Sequence, residues 1–171
     1  LAAVPEMKPL LHTVASVQLT KMPLLEVFLQ LALDSFAQVI QRGLRRDYQT
    51  EQGNLPTLRG RLLISQQLQH NLTNQAQFFT AHDDYTPNRA ENRLLKSALL
   101  LANRIARSAK QQHLAHELLV RIGDVPVSQQ LAQDWRAVRL DRNMSYYQPA
   151  LAWAKILLDQ HSPLINAGQQ D

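Results

Sequence analysis

The residue types that do chemistry are sparse in this chain of 171 residues, and their spacing decides which chemistries are open. His113, His116 and Glu117 fall within one helical turn, but the order His-x-x-His-Glu matches no zinc-hydrolase helix and brings no evident third ligand. His82, Asp83 and Asp84 are adjacent on a short predicted strand, where successive side chains alternate between faces, so the three do not converge by themselves. No metal ligand is assigned. A nuclease of the PD-(D/E)xK type needs an upstream acid and then an acid and a lysine two apart; the one acid-x-Lys here, Glu6-Met7-Lys8, has no upstream partner. No two glycines lie within six residues of each other, which excludes a phosphate-cradling loop. No Ser, His and Asp arrangement resembles a nucleophile elbow. The absence of cysteine removes thiol nucleophiles, thiolate metal sites and disulfides, and suits a reducing cytoplasm.

What the side chains do offer is positive charge. The net charge of +4 is concentrated in two stretches. Residues 42–61 hold Arg42, Arg45, Arg46, Arg59 and Arg61 against Asp47 and Glu51, and residues 89–110 hold Arg89, Arg93, Lys96, Arg104, Arg107 and Lys110 against Glu91 alone. Arginine dominates the basic residues, and its planar fork binds phosphate or carboxylate through paired hydrogen bonds. An anionic partner such as DNA is expected, against the alternative of a solvated basic face.

The elements that must position these groups follow from periodicity. Pro5 and Pro9 make residues 1–19 an irregular lead-in. A helix runs from the Thr20 cap to a stop at Gly43, with Leu24, Leu25, Phe28, Leu31, Ala32, Phe36, Val39 and Ile40 at helical spacing. Two short strands, Leu44–Tyr48 and Thr57–Ile64, flank a polar loop and read as a hairpin over 44–64, followed by a short helix from Ser65 to about Leu72 and a third strand over Gln77–Asp83. Thr86-Pro87-Asn88 opens a long helix to about Lys110, with its basic residues on one face and Leu94, Leu95, Ala98, Leu99, Ala102 and Ile105 on the other. Further helices are expected over Gln112–Ile122, from a Ser128 cap to about Arg142, and over about Tyr146–Gln160, with Trp135, Trp153, Tyr146 and Tyr147 as core and helix-interface aromatics. Residues 166–171 read as a tail or linker. The expected fold is a mainly α, helical domain over 20–165 with a short β-hairpin inserted after its first long helix. No apolar run of membrane-spanning length stands out.

Two stretches carry more than composition. The first is Gly43-Leu44-Arg45-Arg46-Asp47-Tyr48 followed by Leu55-Pro56-Thr57-Leu58-Arg59-Gly60-Arg61-Leu62; the second is Asp83-Asp84-Tyr85-Thr86-Pro87-Asn88 leading into Glu91-Asn92-Arg93-Leu94-Leu95-Lys96-Ser97-Ala98-Leu99. In order and spacing they resemble the McrC family of McrBC-type modification-dependent restriction systems. The stretch through Trp135, Arg139, Arg142 and Tyr147-Gln148-Pro149-Ala150-Leu151 is also similar. Asp83-Asp84 stands where the family usually has Asp-Glu.

The resemblance implies a cytoplasmic defence complex in which a hexameric AAA+ GTPase, McrB, recognises modified DNA while the McrC subunit stimulates GTP hydrolysis and cuts. The chain opens on Leu1 and ends before any nuclease motif, so it reads as the regulatory, non-catalytic part of a longer endonuclease subunit. GTP and Mg2+ are then expected in the partner and the nuclease domain and not as cofactors here. No membrane partner is expected.

The activator surface is expected at the hairpin, through Arg45, Arg46, Tyr48, Arg59, Gly60 and Arg61. Arg59 and Arg61, two apart in one strand, should share a face, and Gly60 should leave the other face open to an approaching backbone. An arginine there either stabilises transition-state charge or orients the GTPase's own groups; both stay open. Arg45 and Arg61 pairing with Asp47 or Glu51 is the plain structural alternative. The stripe Arg89, Arg93, Lys96, Arg104, Arg107 and Lys110 is expected on DNA phosphates, or, for Arg93 and Lys96, on Asp83 and Asp84, which with Asn92 would then be structural motif residues. A stand-alone helical nucleic-acid-binding module is the competing reading, and a metal hydrolase built on His113 and His116 a third.

Overall fold

Leucine, alanine and phenylalanine at helical spacing after residue 24 build the central helix of the computed structural model, which describes residues 24–74 and 76–160. The lead-in 1–19, the Thr20 cap, Glu6-Met7-Lys8 and the tail 166–171 lie outside those residues. The chain divides into two compact units, Arg46–Pro87 and the remainder on either side of it.

The first unit is helical. Helix α1, Leu24–Arg42, buries Val27, Leu29, Ala32, Leu33, Phe36 and Val39 and ends at Gly43, whose φ of 105° is open to glycine and strained for other residues. Its 19 residues and mean hydropathy of 1.3 meet the length and composition of a membrane span, which corrects the expectation that no segment does. Here the helix packs its apolar side into the core of its own unit, against α3 (Ala90–Ile105), α4 (Ala109–Arg121) and α6 (Tyr147–Gln160). α3 contributes Leu94, Leu95, Ala98, Leu99 and Ala102, and α6 contributes Tyr147, Leu151, Trp153 and Leu158, with the Trp153 and Phe28 rings 5.9 Å apart.

Two helices are shorter than their periodicity suggests. The long helix expected to reach Lys110 stops at Ile105, because Ala106 turns to extended dihedrals (φ −63°, ψ 129°) and α4 restarts after Ser108. Gln112 Nε2 donates to the Ala106 carbonyl at 2.8 Å, satisfying a group that the break exposes. The helix expected from Ser128 to Arg142 is only α5, Leu131–Ala137, since the next turn would need the Arg139 amide, which donates instead to Glu91 Oε1 at 2.6 Å. A single 3-10 turn, Arg142–Met144, follows and is capped by Asp141.

The second unit is a three-stranded antiparallel sheet of β1 (Asp47–Leu55), β2 (Arg61–Leu62) and β3 (Phe78–Thr86), with a seven-residue helix α2 (Ile64–His70) before β3. The strand order is β1-β3-β2. The mainly α fold with a small β element is as expected, but β1 and β2 are not the arms of one hairpin: both pair with β3. The supposed polar loop, Gln49–Leu55, is most of β1 itself. It is an edge strand with exposed side chains, so it needs no apolar alternation and shows none. α2 is tied on by polar groups: Gln67 accepts from the Phe79 amide and donates to the Gln77 carbonyl, and Asn71 donates to Asn54 Oδ1 at 2.6 Å.

Candidate partner-binding surface and the anchored motif helix

In the helical unit the first turn of α3 is a hub. Glu91 is buried and accepts from Arg89 Nε at 3.1 Å as well as from the Arg139 amide. Asn92, also buried, donates to the Arg45 carbonyl at 2.8 Å and accepts from the Tyr147 hydroxyl at 2.8 Å, while that hydroxyl accepts from the Arg45 amide at 2.8 Å. These three bonds close a ring that fixes the chain just after α1. Burial pushes the Tyr147 hydroxyl well above the ordinary tyrosine range, against the opposing effect of the Arg45 amide bond.

Arg93 meets Asp134 through two parallel bonds, Nε to Oδ2 at 3.0 Å and Nη2 to Oδ1 at 2.6 Å, and donates to Asn88 Oδ1 at 2.7 Å. The bond to Asp134 raises the Arg93 pKa. Burial alone would raise that of Asp134, but Arg93's hydrogen bonding and charge hold its carboxyl below the ordinary value. Lys96 donates to the Ile122 carbonyl at the end of α4 at 2.9 Å.

Arg93 and Lys96 therefore serve their own unit, their bonds running to Asp134, Asn88 and Ile122 rather than to Asp83 and Asp84, and Arg89 bonds to Glu91. Arg104, Arg107 and Lys110 are exposed around the α3–α4 break and have no carboxylate partner among the described residues. Arg104 continues the Arg93 side of α3, whereas Arg107 and Lys110 lie beyond the end of α3 at Ile105 and do not extend that stripe. His113, His116 and Glu117 are exposed on α4, with Glu117 paired to Arg121.

In the sheet unit the polar groups sort by strand register. Thr50 lies opposite Asp83 and donates to its Oδ1 at 2.6 Å; Tyr48 lies opposite Tyr85, their rings 5.0 Å apart and both strongly exposed, 74% and 57%. Arg61 opposes Ala81 and so shares that side of the sheet. Arg59 instead meets Asp84 at 2.5 Å on the other side, so the two arginines do not share a face.

The reason is Gly60. Its φ of 73° breaks the strand, and a Cβ there would lie 2.8 Å from His82 Cβ. The backbone that approaches Gly60 closely is that of β3, not a partner's. Arg45 belongs to the helical unit and pairs with Asp141 at 3.4 Å rather than with Asp47 or Glu51; Arg46 begins the sheet unit.

Sequence reasoning missed two features here. Glu51, opposite His82, joins His82 and Asp84 in one cluster, and the signal was the i, i+2 spacing of His82 and Asp84 on β3. Ile64, Leu68 and Leu72 are all exposed, an i, i+4, i+8 series whose apolar character reads as core in sequence.

A helical core with an inserted antiparallel sheet is a fold shared with solved restriction-complex structures. A chain of the cryo-EM structure of the Thermococcus gammatolerans McrBC complex matches with a TM-score of 0.64 at 23% identity, over 84% of this chain and 44% of that one. A chain of the refined half-complex from the tetradecameric assembly of Thermococcus gammatolerans McrB AAA+ hexamers with bound McrC matches with a TM-score of 0.63 at 24% identity, over 84% of this chain and 35% of that one. This chain thus spans less than half the length of either structural match. The family model for the McrBC 5-methylcytosine restriction system component matches residues 1–171, and the chain belongs to that family. No curated protein matches it.

Proposed function

We propose that this chain is the regulatory part of an McrC-type subunit, that it binds and stimulates an McrB-like AAA+ GTPase hexamer, and that the sheet unit supplies the contact surface. One observation carries this reading: of the ten exposed large hydrophobic residues among the described residues, six (Tyr48, Leu58, Ile64, Leu68, Leu72 and Tyr85) lie within Arg46–Pro87. Scattered exposed apolar residues are ordinary, whereas such concentration marks an interaction surface. Tyrosine and arginine are also the residues that anchor interfaces most strongly.

Arg61 is exposed and has no carboxylate partner among the described residues, so it is the arginine best placed to reach a partner's site. Arg59 must first exchange Asp84 for the partner. The chain itself neither hydrolyses GTP nor cuts DNA: GTP and Mg2+ belong to the partner and to the nuclease part of a longer subunit, and the setting is the cytoplasm, with no membrane partner. Replacing Arg59 and Arg61 by Ala is expected to leave the melting temperature nearly unchanged and to abolish stimulation of the partner's GTPase. Full stimulation by the double variant would overturn the assignment.

A second role rests on Arg104, Arg107 and Lys110, three exposed cations without carboxylate partners among the described residues. They suit DNA phosphates. This contact also serves the competing reading, a nucleic-acid-binding module with no GTPase partner, and binding to a purified McrB-like hexamer separates the two.

A further inference from the structure

Glu51, His82 and Asp84 lie on one side of the sheet. Glu51 is directly opposite His82 in the β1–β3 register, and Asp84 is two residues further along β3. One ligand atom from each falls within 4.8 Å of the other two. His82 Nε2 is already 3.5 Å from Asp84 Oδ2, close to the separation between two ligands of a tetrahedral ion with bonds of about 2.1 Å.

Two further observations set this cluster apart from ordinary surface charge. The His82 side chain is only 9% exposed, and its Nδ1 has no hydrogen-bond partner among the described residues. Burial of the ring means that Nε2 meets the two carboxylates from a position largely shielded from water, where a bond to an ion is strengthened. The two oxygens of Asp84 are also divided: Oδ1 takes the Arg59 guanidinium, leaving Oδ2 facing His82. A carboxylate held from behind by a hydrogen-bond donor is the usual support of a metal ligand.

We infer that Glu51, His82 and Asp84 form a binding site for a transition-metal dication of the zinc class, with Arg59 orienting Asp84. One imidazole and two carboxylates suit Zn2+ or Co2+ better than Mg2+, which takes oxygen ligands and retains its water. Three protein ligands leave a further position for water or a partner's side chain. The bound ion would cross-link the edge strand β1 to β3.

The test is a titration of the full chain with Co2+, followed by visible absorption, and with Zn2+ in competition. Saturable uptake of one Co2+ per chain is expected. Glu51→Gln, an exposed change that leaves the fold intact by circular dichroism, should weaken it at least about tenfold. His82→Asn should do the same, and the H113A/H116A variant, which removes the exposed α4 histidines, should bind as the parent does. The proposal is overturned by absence of saturable uptake. It is equally overturned by undiminished affinity in Glu51→Gln, or by loss of uptake in H113A/H116A.

Discussion

Arg93 and Arg59 both meet an aspartate, one in each unit, and the difference between the pairs separates scaffold from surface. Arg93 binds Asp134 bidentately, with side-chain exposures of 24% and 9%, and holds α3 to α5. Arg59 donates to one oxygen of Asp84, with exposures of 58% and 32%. A largely buried pair cannot be given up without stranding a charge, whereas a solvated one is worth under about 1 kcal/mol and exchanges readily for a partner's group. Local sequence made these arginines look alike; burial gives them different tasks.

The sharpest way to break this contrast is Asp134→Ala, which leaves the Arg93 guanidinium half-buried without its carboxylate. A loss of about 3 kcal/mol is expected in urea unfolding. The double variant R93M/D134L should recover most of it, because no charge is stranded. Acid titration sharpens the same point. The Asp134 carboxyl sits below its unfolded value, so its contribution is whole above about pH 4 and is lost as the pH falls through its folded value. R93M/D134L should therefore show a shallower acid limb than the parent. A double variant as unstable as Asp134→Ala would show that the site matters for shape and not for charge.

Tyr147→Phe is expected to cost about 1–3 kcal/mol, since it removes the hydroxyl that donates to Asn92 Oδ1 and accepts from the Arg45 amide. Burial raises the Tyr147 pKa, so its stabilising effect is present below about pH 10 and declines as the pH rises beyond that. The variant should lose part of the alkaline limb of the parent's stability profile. An unchanged profile with unchanged midpoint would mean that the ring of bonds around Arg45 contributes nothing.

How much was legible in sequence follows the same division. α1, α3 and α6 announce themselves because their buried faces impose a helical period, and Gly43 marks its stop by a conformation few other residues adopt. The sheet was legible as a region but not as a topology. β1 is an exposed edge strand whose polar sequence, Asp47–Leu55, has no period to read, and its pairing is dictated by β3 some thirty residues away. The break at Ala106 was hidden because Ala106 and Ala109 favour a helix; tertiary packing of α4 and the Gln112 bond overrode that preference. The hub residues Glu91, Asn92 and Arg93 were visible as a motif, but their partners Arg139, Arg45 and Asp134 lie more than forty positions away, beyond local pattern.

The smallest effect on stability is expected where the helical unit itself presents charge. Arg104, Arg107 and Lys110 are exposed at the α3–α4 joint and pair with no carboxylate among the described residues, so replacing all three by Ala should change the unfolding midpoint by no more than about 0.5 kcal/mol. The same triple variant has a large expected effect on DNA binding if these cations sit on phosphates. Each contact displaces counterions, so removing three should reduce the slope of log affinity against log salt by about 2.7, with little change in sequence preference. Arg93→Met, by contrast, should act on stability and leave that slope alone, because Arg93 is held by Asp134 and Asn88. Equal slopes for the parent and the triple variant would remove DNA from the joint and leave the exposed charge of the helical unit as a solvated face.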